Sequence, residues 1–413
     1  MAEMEHADIF VAGGGIAGLT AALAFAQAGW RVVCADPKPI SDSAEDPEAD
    51  LRTTAFLQPS QALFDRIGLW PRLAARATPL QVMKIVNLGA TYRSRAFDAA
   101  DIGELPFGWN IPNWLMRREV HAALQEEPLA FYRAGISASS VLSRTDHALV
   151  TLSDGSGVRA KLVLAADGRA SGLRDAAGIG TRVLRYGQKA LAFAVTHEAP
   201  HDNVSTEIHR AGGPCTFVPL PDHGGRPASA VVWMDRATES VRRHALGNAA
   251  FEVELLERSG GLYGPVKLAS RRSIWPISSQ LAKRFYHGRM ALIAEAAHAI
   301  PPIGAQGLNM SLADIACLLD LAEAGPDRLG DQDMLARYDR RRRPEVTARV
   351  LGVDALNRAS MVGAAPLQAL RAQATGLLHD IKPLRQGLML LGMAHGGRRS
   401  TAVPATPPEA PKP

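Results

Sequence analysis

Residues 7–12 (ADIFVA) form a short, unbroken apolar run, the pattern of a strand covered on both faces. An Ala/Leu-rich stretch of helical composition follows at 17–28, and a second apolar run at 30–35 (WRVVCA). Together they predict a βαβ unit. Helical patterns recur at about 60–68 and 114–126. Between about 182 and 270 the character changes: LAFAVTHE, CTFVPL and ASAVVWM are separated by Gly, Pro and Asp turns. These runs predict an antiparallel sheet distinct from the first unit. A strand at 289–294 (RMALIA) leads through a Gly/Pro loop into a helix from about Leu308, and the pattern beyond Asp331 is helical to about His395. The Pro-rich tail from Ser400 is expected to be disordered. No internal repeat is visible.

Composition changes this picture little. The 413 residues are 47% hydrophobic and 21% charged, enough for a large core and two interleaved domains. No apolar run reaches the ~20 residues needed to span a bilayer. The N-terminus carries Glu3, Glu5 and Asp8 where a signal peptide carries basic residues, so a cytoplasmic location is expected. Cys34, Cys215 and Cys317 are widely spaced and odd in number, which gives no metal-ligand spacing and no disulfide framework. They read as reduced, buried thiols, and no metal is expected.

The placement of charge is more informative. From Arg340 onward there are 12 Lys and Arg against 4 Asp and Glu, a net +8 that leaves −3 for the rest of a chain whose total is +5. Without an aromatic-interleaved basic motif, nucleic acid is a poor partner. An anionic membrane surface or an acidic partner protein fits better, through the run Arg340–Arg343 and the basic, apolar segment that starts at Ile381. An amphipathic packing helix with a solvated arginine cluster accounts for the same residues equally well.

Gly13-Gly14-Gly15-Ile16-Ala17-Gly18 lies between the first strand and its helix. Gly13 permits a tight turn, Gly15 lets a pyrophosphate approach the backbone, and Gly18 allows close packing of helix on strand. The helix start at Gly15, Ile16 and Ala17 would offer free N–H groups to phosphate. Asp36, ending the second strand, would accept from ribose hydroxyls, as suits FAD or NAD rather than a 2′-phosphate. This motif alone does not separate FAD from NAD. It occurs once, so a nicotinamide would bind transiently or not at all.

Two later stretches carry a resemblance. KLVLAADGRASGLRDAAGI (161–179) is similar to the Asp-Gly motif of the class A flavoprotein monooxygenases, with Asp167, Gly168, Ser171 and Arg174 at the family's positions. MALIAEAAHAIPPIGAQGLNMSLADI (290–315) resembles the family's second flavin motif, GDAAH followed by Pro, GQG and Asn. The resemblance runs from about residue 7 to 345. Within the family it is nearest the ubiquinone-biosynthesis hydroxylases, whose D-x-R-x-x-A segment matches Asp50, Arg52 and Ala55. The second motif departs in four places: Ala294 for Gly, Glu295 for Asp, Gly304-Ala305 for Ala-Gly, and Ser311 for a later Gly.

The resemblance implies a Rossmann-like FAD-binding domain interleaved with an antiparallel β-sheet substrate domain, plus C-terminal helices: an α/β protein. The expected boundaries are 1–80, 101–181 and 271–330 for FAD binding, 81–100 and 182–270 for substrate, 331–399 for the C-terminal helices and 400–413 for the tail. It also implies FAD contacts for Asp167, Glu295 (ribityl chain), Arg52 (pyrophosphate or flavin) and Arg117. Pro301 and Pro302 stiffen the loop beside the ring, and Gly304, Gly307, Leu308 and Asn309 form a helix start whose N–H groups face the negative end of reduced flavin. For Arg52 a surface salt bridge with Asp50 is the plain alternative, and for Arg117 a solvated helix face. His298 reads as a hydrogen-bonded core residue with no catalytic role.

The implied reaction hydroxylates the aromatic ring of a polyprenyl phenol with NAD(P)H and O₂, the cofactor carrying the difficult step and the protein excluding water. No catalytic side chain is identified. Other ubiquinone-biosynthesis enzymes are implied as partners. Phe193, Phe217, Val231 and Trp233 are candidate pocket walls, with plain sheet core as the alternative. A flavin-dependent reductase or epoxidase of an isoprenoid, or a non-catalytic scaffold, stay open as readings.

Overall fold

The computed structural model describes residues 4–88, 92–210, 212–361 and 382–393. The Pro-rich tail, Ile381, and the helical pattern expected over 362–381 and from 394 to about His395 lie outside the described residues. The predicted βαβ unit forms as Met4–Ala12, a helix over Ile16–Gln27 and Val32–Asp36. The helix is buried along Ala17–Ala26, because it is sandwiched between the sheet and the helices Asn113–Glu126 and Gln306–Glu323. That surrounding is why its sequence is apolar on every side rather than along one stripe.

Four strands of the first sheet run parallel, in the order Met290–Leu292, Gly157–Ala165, Met4–Ala12, Val32–Asp36, with Ala130–Ala134 added in parallel beyond the last. Their register aligns Leu292 with Ala165, Ala165 with Ala12, and Ala12 with Ala35. The C-terminal ends of these strands therefore stand in one row.

The second sheet is built on Thr181–His197, which pairs antiparallel with Arg226–Arg236 on one side and Ser273–Ala282 on the other. Gly213–His223, Val204–Arg210, Val82–Leu88 and Tyr92–Asp98 continue it outward. Ser273–Ala282 thus belongs to this sheet, whereas the sequence pattern groups it with the FAD-binding part; its alternation is diluted by Pro276, Ser278, Ser279 and Gln280. A small third sheet of Thr53–Leu57, Gly108–Pro112 and Thr78–Leu80 joins the two, and Asn110 Nδ2 donates to Pro219 O at 2.9 Å across that junction.

The faces of the second sheet divide cleanly. Phe193, Phe217, Val231 and Trp233 are buried against Phe251 and Leu255 of the helix Asn248–Ser259. They are core on the outer side, and so do not wall a pocket next to the first sheet. The opposite face carries Ala190, Met234 and Ile277, packed with Tyr186, Val232 and Ile303.

The C-terminal basic run also divides. In the helix Gln332–Met361, Arg340, Arg341 and Arg343 are exposed, but Arg342 is buried. Its Nε donates to Asp314 Oδ1 at 2.9 Å and its Nη2 to Met310 O at 3.1 Å; Glu345 is a further partner. Asp314 also meets His298 Nε2 at 2.6 Å. Burial alone would push the Asp314 carboxyl up, but His298 and Arg342 outweigh it and hold the carboxyl below its usual range. Arg342 is thus a core residue, unavailable for docking on lipid. All three cysteines are free and buried, and burial pushes the Cys317 thiol up to about 11.

Two backbone features mark the second flavin motif. Ala294 and Ala305 have φ of +55° and +54°, the left-handed region that a Cβ disfavours. Both occupy positions where the family's pattern has Gly.

Two expectations follow. Arg342→Met leaves Asp314 buried with one partner fewer, and chemical denaturation should show a loss of about 3–5 kcal/mol. Ala294→Gly and Ala305→Gly, singly, should each raise stability by roughly 0.5–1 kcal/mol, the relief of left-handed strain less the added chain entropy; lowered denaturation midpoints would show that neither alanine is strained.

Candidate active site at the C-terminal edge of the first sheet

Three loops leave the aligned strand ends: Gly13 onward after Ala12, Ala166 onward after Ala165, and Ile293 onward after Leu292. Backbone bonds extend the alignment one residue further, with Gly13 N donating to Ala35 O at 2.8 Å, Ala166 N to Ala12 O at 2.8 Å, and Ile293 N to Ala165 O at 3.0 Å. All three sequence motifs therefore meet at one sheet edge, the crevice in which open α/β sheets bind ligands.

The glycines of the first loop differ in what surrounds them. Gly13 has φ +110°, and a Cβ there would sit 2.3 Å from Ala166 O. A Cβ on Gly18 would fall 1.8 Å from Gly13 O, so the helix can lie this close to the turn only with Gly. A Cβ on Gly15 would meet nothing within 4 Å beyond its chain neighbours. Gly15 is also the N-cap of the helix and supplies no side-chain cap, so the first N–H groups, those of Ile16 and Ala17 among them, open onto that space.

Asp36 is turned toward the same loop. Its Oδ2 accepts from Gly14 N at 2.5 Å and its Oδ1 from Lys38 N at 2.7 Å. Arg117 braces both segments, donating from Nε to Gly14 O at 2.7 Å and from Nη1 to Pro39 O at 2.8 Å, with Nη2 3.6 Å from Asp36. It is neither a solvated residue nor a free cation; it holds the loop in shape.

In the second loop Asp167 uses one oxygen internally, Oδ2 accepting from Leu173 N at 3.2 Å. Its Oδ1 is buried without a partner. Such an atom is costly unless something bonds it, so it marks a place for a ligand donor. Gly168 beside it has open space where a Cβ would be. Ser171 caps the helix Gly172–Ala176 through Arg174 N at 3.0 Å, and buried Arg174 reaches Arg169 O and Ala296 O at 3.0 and 3.3 Å.

The third loop places Glu295 half-exposed at the edge, with Oε1 2.9 Å from Arg169 Nη2. Pro301 is buried and Pro302 exposed before the turn at Gly304. The helix Gln306–Glu323 then begins at Ala305 without a side-chain cap, and Gly307 and Leu308 lie in its first turn. Asn309 is buried and spends its whole amide within the protein: Oδ1 accepts from Leu57 N and Ser60 Oγ at 2.9 and 2.6 Å, and Nδ2 donates to Ala55 O and Ala305 O at 2.8 and 2.6 Å. Its side chain positions the helix start rather than facing a ligand. Ser311 fits because its hydroxyl bonds Gly307 O at 3.1 Å within the helix.

Arg52 forms the salt bridge with Asp50, through Nε and Nη2 at 2.8 and 2.7 Å, and its guanidinium lies 4.2 Å from the Trp275 ring centroid. Burial raises the Asp50 pKa, yet the bonds from Arg52 and Asn113 more than offset it and hold the carboxyl below its usual range. His298 lies in the core on Asp314, as its reading as a hydrogen-bonded histidine requires. Sequence reasoning missed Arg169, Trp275 and the inner sheet face at Ala190, Val232, Met234 and Ile277. Strict alternation within ASAVVWM could have flagged the last, since Val232 and Met234 point opposite to Val231 and Trp233.

The open space at Gly15, the orphaned Asp167 oxygen and two uncapped helix starts fit a dinucleotide bearing a flavin. Comparison with known proteins agrees. Residues 6–351 match the family model described as FAD binding domain. The chain is 34% identical over 393 residues to ubiquinone hydroxylase UbiL of Rhodospirillum rubrum, covering 93% of this chain and 88% of that protein. It is 26% identical over 342 residues to 3-demethoxyubiquinol 3-hydroxylase of Escherichia coli, covering 82% and 86%. Among solved structures, p-nitrophenol 4-monooxygenase PnpA from Pseudomonas putida superposes with a TM-score of 0.79 at 21% identity, over 96% of this chain and 100% of that one, a likeness of fold. The family match over most of the chain, on a fold that gathers all three motifs at one sheet edge, makes this protein a member of the FAD binding domain family and a class A flavoprotein monooxygenase.

Proposed function

We propose that this chain hydroxylates the aromatic ring of a polyprenylated phenol in ubiquinone biosynthesis, with NAD(P)H as reductant and O₂ as oxidant. The observation that carries the reading is the row Leu292, Ala165, Ala12 with its three motif loops, in a chain resembling ubiquinone hydroxylases over most of its length. When bound, FAD supplies the redox and oxygen-transfer chemistry.

The chain's own residues bind, orient and exclude water. The space at Gly15 and the N–H groups of Ile16 and Ala17 take the pyrophosphate, and Asp36, already oriented by Gly14 and Lys38, faces the ribose. Asp167 Oδ1 accepts a donor from the cofactor. The turn at Gly304 and the first helical turn at Gly307 and Leu308 would direct N–H groups at the pyrimidine end of a bound flavin, where reduction places negative charge. Arg117 and Asn309 serve by fixing these loops, and Arg52 acts from its pair with Asp50. Ala190, Val232, Met234 and Ile277, with Ile303 of the flavin loop, offer the substrate ring an apolar wall from which water is excluded.

A substrate with a long isoprenoid tail resides in lipid, and part of the C-terminal region is built to meet it. No helix among the described residues is long and apolar enough to cross a membrane. The helix Lys382–Met393 buries Met389 against Ala99 and Phe107 while leaving Leu390 46% exposed. Exposed Arg340, Arg341 and Arg343 supply positive charge for anionic headgroups. The same cations suit acidic faces of partner enzymes of the pathway.

Three outcomes test this reading. Gly15→Val has room to fold but fills the pyrophosphate space, so the purified variant should keep its denaturation midpoint and lose the yellow of bound FAD. The intact enzyme with NAD(P)H should consume O₂ and add one oxygen atom to the ring of the lipid product; mass spectrometry placing that atom on the tail contradicts the assignment. Removing residues 381–413 should reduce sedimentation with vesicles containing anionic lipid without removing FAD, and equal partition of both forms would exclude the region as an anchor.

A further inference from the structure

Glu295 stands where the family's pattern has the shorter Asp, at the end of the strand that enters the site. Half-exposed, it does not run free. Arg169 Nη2 donates to its Oε1 at 2.9 Å, and Nη1 of the same guanidinium donates to Ser278 Oγ at 3.2 Å. The backbone of residue 169 is also fixed: its carbonyl accepts from Gln280 Nε2 at 2.9 Å and Arg174 Nη1 at 3.0 Å. Arg169 is thus anchored to the strand Ser273–Ala282 at one end and to the Asp-Gly loop at the other, and Glu295 is drawn to a cation of fixed position.

The nearby charges make this pairing matter. Arg52 also acts on Glu295 electrostatically, but both its bonds go to Asp50. Among the described residues Arg169 is the cation in direct contact with Glu295. Remove it, and a carboxylate one methylene longer than the family's stands without a cation in direct contact beside a cofactor whose reduced form is itself negative. Like charges at such a site oppose both binding and reduction.

We infer that Arg169 is a positioning residue that holds Glu295 in place and neutralises it at the cofactor edge, so that the longer acid can serve where the family uses Asp. This rests on the FAD reading above. The test is a four-protein cycle: the unaltered chain, Arg169→Ala, Glu295→Gln and the double variant. Each is stripped of flavin, its fold checked by circular dichroism, and titrated with FAD; the midpoint potential of the bound flavin is then measured.

Arg169→Ala should weaken FAD binding about fivefold, the upper range for a partly exposed ion pair, and lower the potential. The loss should shrink in about 1 M salt, where the screening length falls to about 3 Å. The double variant should recover most of both, because deleting the acid removes the need for its partner. Unchanged binding and potential in Arg169→Ala, or a double variant as impaired as the single one, would overturn the inference while leaving the FAD reading intact. Failure of the unaltered chain to bind FAD would overturn both.

Discussion

The register of the parallel strands is the constraint on which the rest depends. Leu292, Ala165, Ala12 and Ala35 stand side by side, and main-chain bonds from Ile293, Ala166 and Gly13 carry that alignment into the loops. The three motifs are brought together by backbone geometry before any of their side chains acts. A one-residue slip of a strand would turn its buried residues to the wrong face and displace its loop, so the apolar covering of both sheet faces enforces the site as well as the fold.

The second sheet is fastened to this edge by a polar seam as well as by the apolar packing of Leu281 and Ala282 on the first core. The strand Ser273–Ala282 and the turn before it supply most of that seam. Arg271 donates to the carbonyls of Ala44, Pro47 and Ala49 at 2.8–3.1 Å, which ties down the acidic loop leading to Asp50 and Arg52. Trp275 lies under Arg52, while Ser278 and Gln280 hold Arg169. Polar seams of this kind cost less to rearrange than apolar ones, as suits a site that must admit a substrate and a nicotinamide in turn.

What was legible in the sequence was what depends on local pattern. The βαβ unit could be read because an apolar run, an Ala/Leu helix and a second apolar run lie within the first 36 residues, and Gly13 and Gly18 each answer to a separate steric demand. The core place of His298 was equally local. Features that depend on distant partners were not legible. Alternation in ASAVVWM separates two sets of side chains without saying which faces the first sheet, so Val231 and Trp233 read as wall or core from sequence alone, and the structure makes them core. Arg342 sits in a run of four arginines and differs from its neighbours only because Asp314 and His298 wait beneath it. Ser273–Ala282 hid its pairing behind polar residues whose partners lie in the Asp-Gly loop.

The second flavin motif shows how a pattern can depart from its family and still build the same edge. Two of the residues that match, His298 and Asn309, are buried and act on the protein itself. Asn309 fastens the helix start to Ala55, Leu57 and Ser60. Asp314, five residues on, bonds Ala294 N at 3.2 Å and His298. One helix therefore fixes both halves of the motif from below. With the backbone held at those points, alanine can be kept in a left-handed conformation at 294 and 305 at a cost the surrounding bonds over-determine. The departures fall where backbone angle or side-chain length is at issue, and each is absorbed locally: Ser311 by a bond within its helix, Glu295 by Arg169. The positions of the N–H groups at the helix start, which the cofactor would meet, are set by buried side chains that the changes leave untouched.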